Sequence, residues 1–308
     1  MIRTLLISLA TACVGFSSVT SVFAQGATAT GNRPGLTVLD TGTAPRRELR
    51  YQFDSESAES AAMDMNINMS MSMGGIQIPQ MNMPTIRMVV SLGEVEMSAD
   101  GTARYEFEIG SMELIDTASS DPALANAVRA SLGQVPGISG WARVNSRGAT
   151  LGGGVNLGDG IDPQLSQVFD SAEQSLQQMS APLPEEPVGV GAQWRVVQDL
   201  QSGGFDVSQT ATYTIVAMQG QNVTLDVAMT QTAPAQVVEM PGMPPGAGAN
   251  LESLESSGTG SMQIDLTRFM PTSNVNLSMA IALAISAGGG NQRIDMNLQT
   301  DMSISPFN

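Results

Sequence analysis

Met63, Met65, Met69, Met71 and Met73, with Ile67 among them, occupy alternate positions of one short segment. Asp64, Asn66, Asn68, Ser70 and Ser72 fill the positions between them. In a strand, alternate side chains share a face, so this segment presents a row of thioethers. Two chemistries suit such a row. Soft thioethers ligate Cu(I), and Met81-Asn82-Met83 and Met240-Pro241-Gly242-Met243 supply more of them in loops. Methionine also lines adaptable apolar grooves, because its side chain is unbranched and polarizable. Met88, Met97, Met112, Met229 and Met279 recur singly on other segments, as expected of general packing use. No histidine stands by to complete a metal site, so the groove is the expected role and no metal is assigned.

Carboxylates are the other candidates for chemistry. Glu94 and Glu96 share one strand face, as do Glu106 and Glu108, and glycosidases work with two carboxylates at a set separation. These residues alternate with Val95, Met97, Phe107 and Ile109, which makes them the solvated face of amphipathic strands. Most other reaction classes are closed. All thirteen basic residues are arginines, histidine is absent, and the only cysteine is Cys13. A serine triad lacks its base, and no G-x-S-x-G elbow occurs. Asp159 and Asp162 lack calcium-loop spacing, and Gly152-Gly153-Gly154 lacks the lysine of a phosphate loop. The expectation is a protein with no catalytic residue and no cofactor, a carboxylate hydrolase being the enzyme class left open.

The first residues read as a secretory signal: Arg3, an apolar run from Leu5 to Phe16, and Val22-Phe23-Ala24 as the cleavage site. Cys13 lacks a leucine three residues before it, which argues against lipidation. The apolar run is too short to span a membrane, which takes about 20 residues. Removal of residues 1–24 leaves twelve Arg against 29 Asp plus Glu, 12 − 29 = −17. That balance keeps a chain soluble and disfavours nucleic acid and anionic membrane surfaces. An outer-membrane barrel would need aromatic girdles, and the chain has two Trp, three Tyr and eight Phe. The expected location is therefore the periplasm or cell envelope, with no transmembrane helix after cleavage.

These side chains need elements to position them. Gln25–Ala44 reads as a flexible tether, followed by a β-rich half over 45–160, a helix and proline segment over 161–188, and a second β-rich half over 189–308. Arg50–Phe53 alternates briefly. Gly74–Pro84 reads as a Gly-Pro loop, and Thr85–Ser98 and Ala103–Leu114 as a hairpin around Asp100-Gly101. Asp121-Pro122 opens a short helix lined by Leu124, Val128 and Leu132. Asp162-Pro163 opens a longer one, with Leu165, Val168, Phe169, Ala172, Leu176 and Met179 in its stripe. Trp141–Val144 and Ala149–Leu157 make another hairpin, Pro234–Gly260 a Pro/Gly/Met loop, and Arg293–Ser305 a last strand. Val95–Ile109 is echoed by Thr214–Val227 at an offset of 119, and Gly140, Val144 and Val155-Asn156-Leu157 by Gly260, Ile264 and Val275-Asn276-Leu277 at 120. Such spacing points to an internal duplication.

Pro182-Leu183-Pro184-Glu185-Glu186-Pro187-Val188-Gly189-Val190-Gly191-Ala192-Gln193-Trp194 resembles the PLP-x-x-PV-x-VG-x-x-W segment of a family of exported bacterial β-rich proteins of unknown function. That family implies no activity or catalytic residues. More distantly, the layout is similar to half-barrel lipoprotein carriers of the bacterial envelope, which implies a curved sheet able to cover acyl chains. Read from its own residues, the segment is a structural clasp: Pro184 and Pro187 stiffen it, Gly191 lets it turn, and Trp194 anchors the next strand.

The expectation is thus an α+β, mainly antiparallel chain, with long curved sheet or sheets from two pseudo-repeats under two covering helices. Its function would be to bind a lipid or other apolar ligand in a concavity lined by Met63, Met65, Ile67, Met69, Met71, Met73, Phe169 and Leu176. The alternative is a structural scaffold for envelope protein partners, and the lesser one Met-based Cu(I) binding.

Overall fold

Gly74 and Gly75 turn the chain with φ of +57° and +83°. Positive φ at both central positions is what a tight two-residue hairpin loop requires, and it lays β3 (Ile76–Asn82) against β2 (Ser60–Met73), Met73 facing Ile76. This strand stands where the sequence points to a Gly-Pro loop; Pro79 is tolerated because β3 pairs on one side only. The computed structural model describes residues 35–53, 59–115, 122–132, 138–156, 183–202, 205–238, 248–287 and 290–307. The expected leader, with its cleavage site, and the expected helix from Asp162 lie outside the described residues, as do Phe169 and Leu176.

β2 belongs to one antiparallel sheet of 14 strands. Its path begins at β1 (Gly35–Asp40) and runs through β8 (Gln193–Ser202), β9 (Phe205–Gln219), β10 (Asn222–Ala233), β12 (Gly248–Asp265), β13 (Thr272–Ala287) and β14 (Gly290–Pro306) to β2. It continues through β4 (Ile86–Met97), β5 (Ala103–Leu114) and β6 (Ile138–Val144) to β7 (Thr150–Asn156). Off this path, β11 (Gln236–Val238) pairs with β12. Both β-rich halves therefore share a single sheet, joined where β14 pairs with β2 from Ile294↔Met73 to Pro306↔Ala61 without a register shift. Tyr105 of β5 and Val144 of β6 line the same cavity as Trp194 of β8 and Tyr213 of β9. The sheet thus curls until its distant strands face one another, while β1 and β7 stay unpaired to each other.

Other expectations are corrected. The tether gives way at Gly35, because Gly35–Asp40 pairs with β8 as an edge strand. The Pro/Gly/Met loop ends by Gly248, where β12 begins; a register shift between Leu251 and Ser253 breaks the alternation that would have marked it. Arg50–Phe53 is no strand but a strap. Its Tyr51 N–H donates to the Ser146 carbonyl and its Gln52 N–H to the Leu266 carbonyl, each at 2.7 Å. Of the two covering helices expected, the described residues contain one, α1 (Pro122–Leu132), lying against β5. Pro122 suits its first position, which needs no N–H, and Arg129 suits its last turn.

The pairings repeat in register. Ala103↔Val144, Tyr105↔Ala142 and Phe107↔Gly140 across β5–β6 have counterparts 120 residues on, in Val223↔Ile264, Leu225↔Met262 and Val227↔Gly260 across β10–β12. Gly140↔Val155 is matched by Gly260↔Val275 at the same offset of 120. The turns after these strands match too. The Asn145 side chain accepts from the Arg147 and Ala149 N–H groups, and the Asp265 side chain from the Thr267 N–H and hydroxyl.

At Gly140 a Cβ would stand 2.2 Å from the Gly154 carbonyl, and at Gly260 2.4 Å from that of Asn274. The backbones approach there as closely as only glycine allows. Gly260→Ala and Gly140→Ala should each lose about 1–3 kcal/mol in urea unfolding. Gly248→Ala, with nothing within 4 Å of the new atom, should stay within about 0.5 kcal/mol. Equal losses at all three would contradict the close backbone approach at Gly140 and Gly260.

Candidate functional site

The inner face of β2 is where the expected groove residues meet. Met63, Met65, Ile67, Met69 and Met71 are 2–8% exposed, and Met73 is half-buried. Each methionine of the buried set faces another on a neighbouring strand. Met65 stands opposite Met302 and Met71 opposite Met296 on β14, Met63 opposite Met88 on β4, and Met69 opposite Met81 on β3. With Met73, Met83, Met270 and Met279 the cluster holds six buried and six partly buried methionines. Met88 and Met279, single residues in the sequence, therefore join the row. Met97 is exposed at the end of β4 and Met229 packs elsewhere. Met240 and Met243 lie outside the described residues.

The other two cores are built differently. One gathers Trp194, Tyr213, Ile215, Leu225 and Ile264 with their neighbours, the other Val90, Leu92, Tyr105, Phe107 and Phe269. Branched and aromatic side chains dominate both, and these have fewer rotamers than methionine.

The clasp residues hold chain to chain. Val188 exchanges backbone hydrogen bonds with Arg47, the Gly191 N–H donates to the Ile215 carbonyl, and Leu183 is buried. Arg50 donates to the Pro184 carbonyl at 3.0 Å and to that of Glu185. Pro187 is exposed and breaks the run before Val188. Trp194 is 2% exposed and stacks on Tyr213 at 5.4 Å.

Around Trp194 lies a chamber that single-sequence reasoning missed. Tyr51, Tyr105 and Tyr213, the three tyrosines of the chain, line it together with Phe53 and Phe269. Phe53 stacks between Tyr51 at 4.9 Å and Phe269 at 4.0 Å, and Tyr105 tilts against Phe269 at 4.8 Å. The cavity that these rings line is about 30 Å³. The Trp194 Nε1 is buried with no hydrogen-bond partner among the described residues. Burial pushes the Tyr213 hydroxyl up to about 12. Tyr51 and Tyr105 are raised further, by burial in both cases and for Tyr51 also by Tyr213 beside it. Alternation marks Tyr105 and Tyr213 as inward-facing, but the convergence of the three tyrosines depends on long-range pairing that no local pattern encodes.

The acidic residues divide clearly. Glu94, Glu96, Glu106 and Glu108 are exposed, and Arg104 reaches Glu96 at 3.6 Å and Glu106 at 3.5 Å while lying 4.9 Å above the Trp141 ring. Glu59, which no sequence pattern singled out, is 1% exposed. It accepts from the Phe269 and Met270 N–H groups at 3.1 Å, with Arg268 at 3.6 Å. This carboxylate fastens the start of β2 to the turn before β13. Among the described residues no group of three or more His, Cys, Asp or Glu could hold a metal ion, which leaves the thioethers as the soft donors available.

A model of a family of unknown function (DUF6263) matches residues 133–268, a stretch that includes Pro182–Trp194. No curated protein matches the chain. Among solved structures, engineered variants of the Rh. blastica porin align at 9–10% identity over 80% of this chain and 100% of theirs, with a TM-score of 0.17. A structure titled "Asymmetric conductivity of engineered proteins" aligns at 10% identity over 80% of this chain and 99% of its own, with a TM-score of 0.15. Scores this low carry no argument.

The enclosed tyrosines make a testable pH response. A hydroxyl neutral in the folded state above its ordinary value of about 10 ionises on unfolding, so stability is lost as pH rises from there. Tyrosinate absorbance should therefore appear in one step, coincident with loss of the β signal in circular dichroism, well above pH 10. A smooth titration centred near 10 with the fold intact would contradict the enclosure.

Proposed function

We propose that this is an exported, non-catalytic protein of the cell envelope that holds an apolar or amphiphilic ligand in the methionine-lined lobe of its curled sheet. The observation that carries the reading is the concentration of twelve methionines in one core, six buried and six partly buried, beside two cores of stiffer residues. Lobes packed with Leu, Ile and Val specify one arrangement, whereas thioethers repack around guests of varied shape. The matched pairings at a constant offset of 120 residues support a frame derived from a duplicated unit. The leader-like segment Arg3–Ala24 and the acidic balance support export and a soluble or surface-attached life. The distant likeness to half-barrel carriers agrees with a sheet that covers acyl chains, as an analogy of layout.

One observation favours the alternative scaffold reading. Met71 is 2% exposed and Met69 3%, so the lobe is closed around its own side chains, and a guest must displace them. Native mass spectrometry of gently purified mature protein separates the two. A carrier retains co-purifying lipid; a scaffold flies bare and brings a protein partner or nothing.

Replacing Met65, Met69 and Met71 together with leucine tests packing against copper. The volume change is small, so each should cost less than about 1.5 kcal/mol and ligand retention should fall only modestly. A Cu(I) competition titration with tight, stoichiometric binding that the triple variant abolishes would replace the ligand reading by the metal one.

A further inference from the structure

β3 is lightly held beside the methionine core. On the side of β2 away from β14, β4 pairs with the first part, Ser60–Met65, and β3 with the last, Asn68–Met73. Among the described residues β3 has no second neighbour, and a register shift between Met69 and Met71 interrupts its ladder to β2. Pro79 has no N–H to give that ladder. Five of the seven residues of β3 are exposed, Ile76 at 74%. Only Ile78 and Met81 are half-buried, and both pack against the methionine core. They stand opposite Met71 and Met69, which are 2% and 3% exposed. β3 is therefore a flap pinned by two side chains, and it shields one flank of the best-buried methionines of β2.

One of the two pins is oxidisable. The chain holds 21 methionines and a single cysteine, Cys13, so thioethers are its main oxidisable sulfur. A thioether lone pair attacks the terminal oxygen of a hydroperoxide. The O–O bond breaks, an S–O bond forms, the sulfur is oxidised by two electrons, and the peroxide leaves as water or alcohol. The sulfoxide produced is polar, and burying it without a hydrogen-bond partner is costly. Exposure decides which methionine reacts, and packing decides what the reaction disturbs. Met97 is 43% exposed and belongs to none of the three described cores, so oxygen on it disturbs little. Met69 and Met71 are shielded. Met81 is both partly exposed and a pin of a strand with no other neighbour. We propose that Met81 is a reversible oxidation site for hydroperoxides and that β3 is the element it controls. Oxygen on Met81 releases β3 from β2 and lays Met69 and Met71 open to the same oxidant. A thiol-dependent sulfoxide reductase restores the thioether, and the flap pairs again. This assignment stands independently of the ligand reading above.

The test exposes the mature chain to hydrogen peroxide, quenches samples over time, and maps oxygen by peptide mass spectrometry and β3 by amide hydrogen exchange. Met97 and Met81 should oxidise first, and Met69 and Met71 only after Met81. Protection of the β3 amides should fall about tenfold or more once Met81 is oxidised, and should return on treatment with sulfoxide reductase and dithiothreitol. Met81→Leu nearly conserves volume and should keep the fold. It should preserve β3 protection under peroxide and slow oxidation of Met69 and Met71 about tenfold, with Met97 oxidising as before. Met97→Leu should change neither quantity. If Met81→Leu fails to fold, the order of oxidation and the exchange of β3 in the unsubstituted chain still decide the point. Full β3 protection in protein oxidised at Met81, or oxidation of Met69 and Met71 at the rate of Met81, would overturn the assignment.

Discussion

The ladder between β14 and β2 is the constraint on which the rest of this molecule depends. It runs from Ile294↔Met73 to Pro306↔Ala61 unbroken, and it is the only link in the path of the sheet between the two β-rich halves among the described residues. Without it, β2 would keep its pairings with β3 and β4 but lose the partners that enclose its methionines. The residues it joins lie far apart in sequence. Its entropic cost rises only slowly with loop length, but such non-local pairing makes for slow folding.

Once the ladder is formed, two kinds of interior coexist. Toward the strap Arg50–Phe53, stacked rings, the buried Glu59 and the paired turns fix side chains by directional contacts. Around β2 the contacts are thioether on thioether, weakly directional and tolerant of rearrangement. Stiffness in one region and adaptability in the other would suit the proposed ligand-binding role, since a frame must keep its shape while a lobe changes. The strap contributes to that frame by bonding two matched turns through consecutive amides, Tyr51 to Ser146 and Gln52 to Leu266.

Local chemistry made part of this legible in advance. Asp100-Gly101 marked the hairpin between β4 and β5, and unbroken alternation marked β2, because turn geometry and a half-buried face leave their imprint on adjacent residues. β1, β3 and the first part of β12 were hidden by Gly, Pro and the shift at Leu251/Ser253, which break the pattern without breaking the strand. The chamber was illegible for a different reason. Tyr51, Tyr105 and Tyr213 come from a strap and two strands brought together by the curl of the sheet, and Glu59 gains its meaning only beside Phe269 and Arg268. The methionine row was readable on β2 alone; that Met296, Met302, Met81 and Met88 complete it is a property of register.

The central claim is that the methionine lobe is adaptable while the frame is rigid, and methyl NMR of the methionine ε-carbons reads this directly. Met65, Met69, Met71, Met296 and Met302 should show exchange broadening that collapses to sharp, shifted signals when dodecanol is added, with Met229 and Met218, which pack in another core, unchanged. Sharp, unshifting resonances for all seven, with and without the probe, would contradict the account.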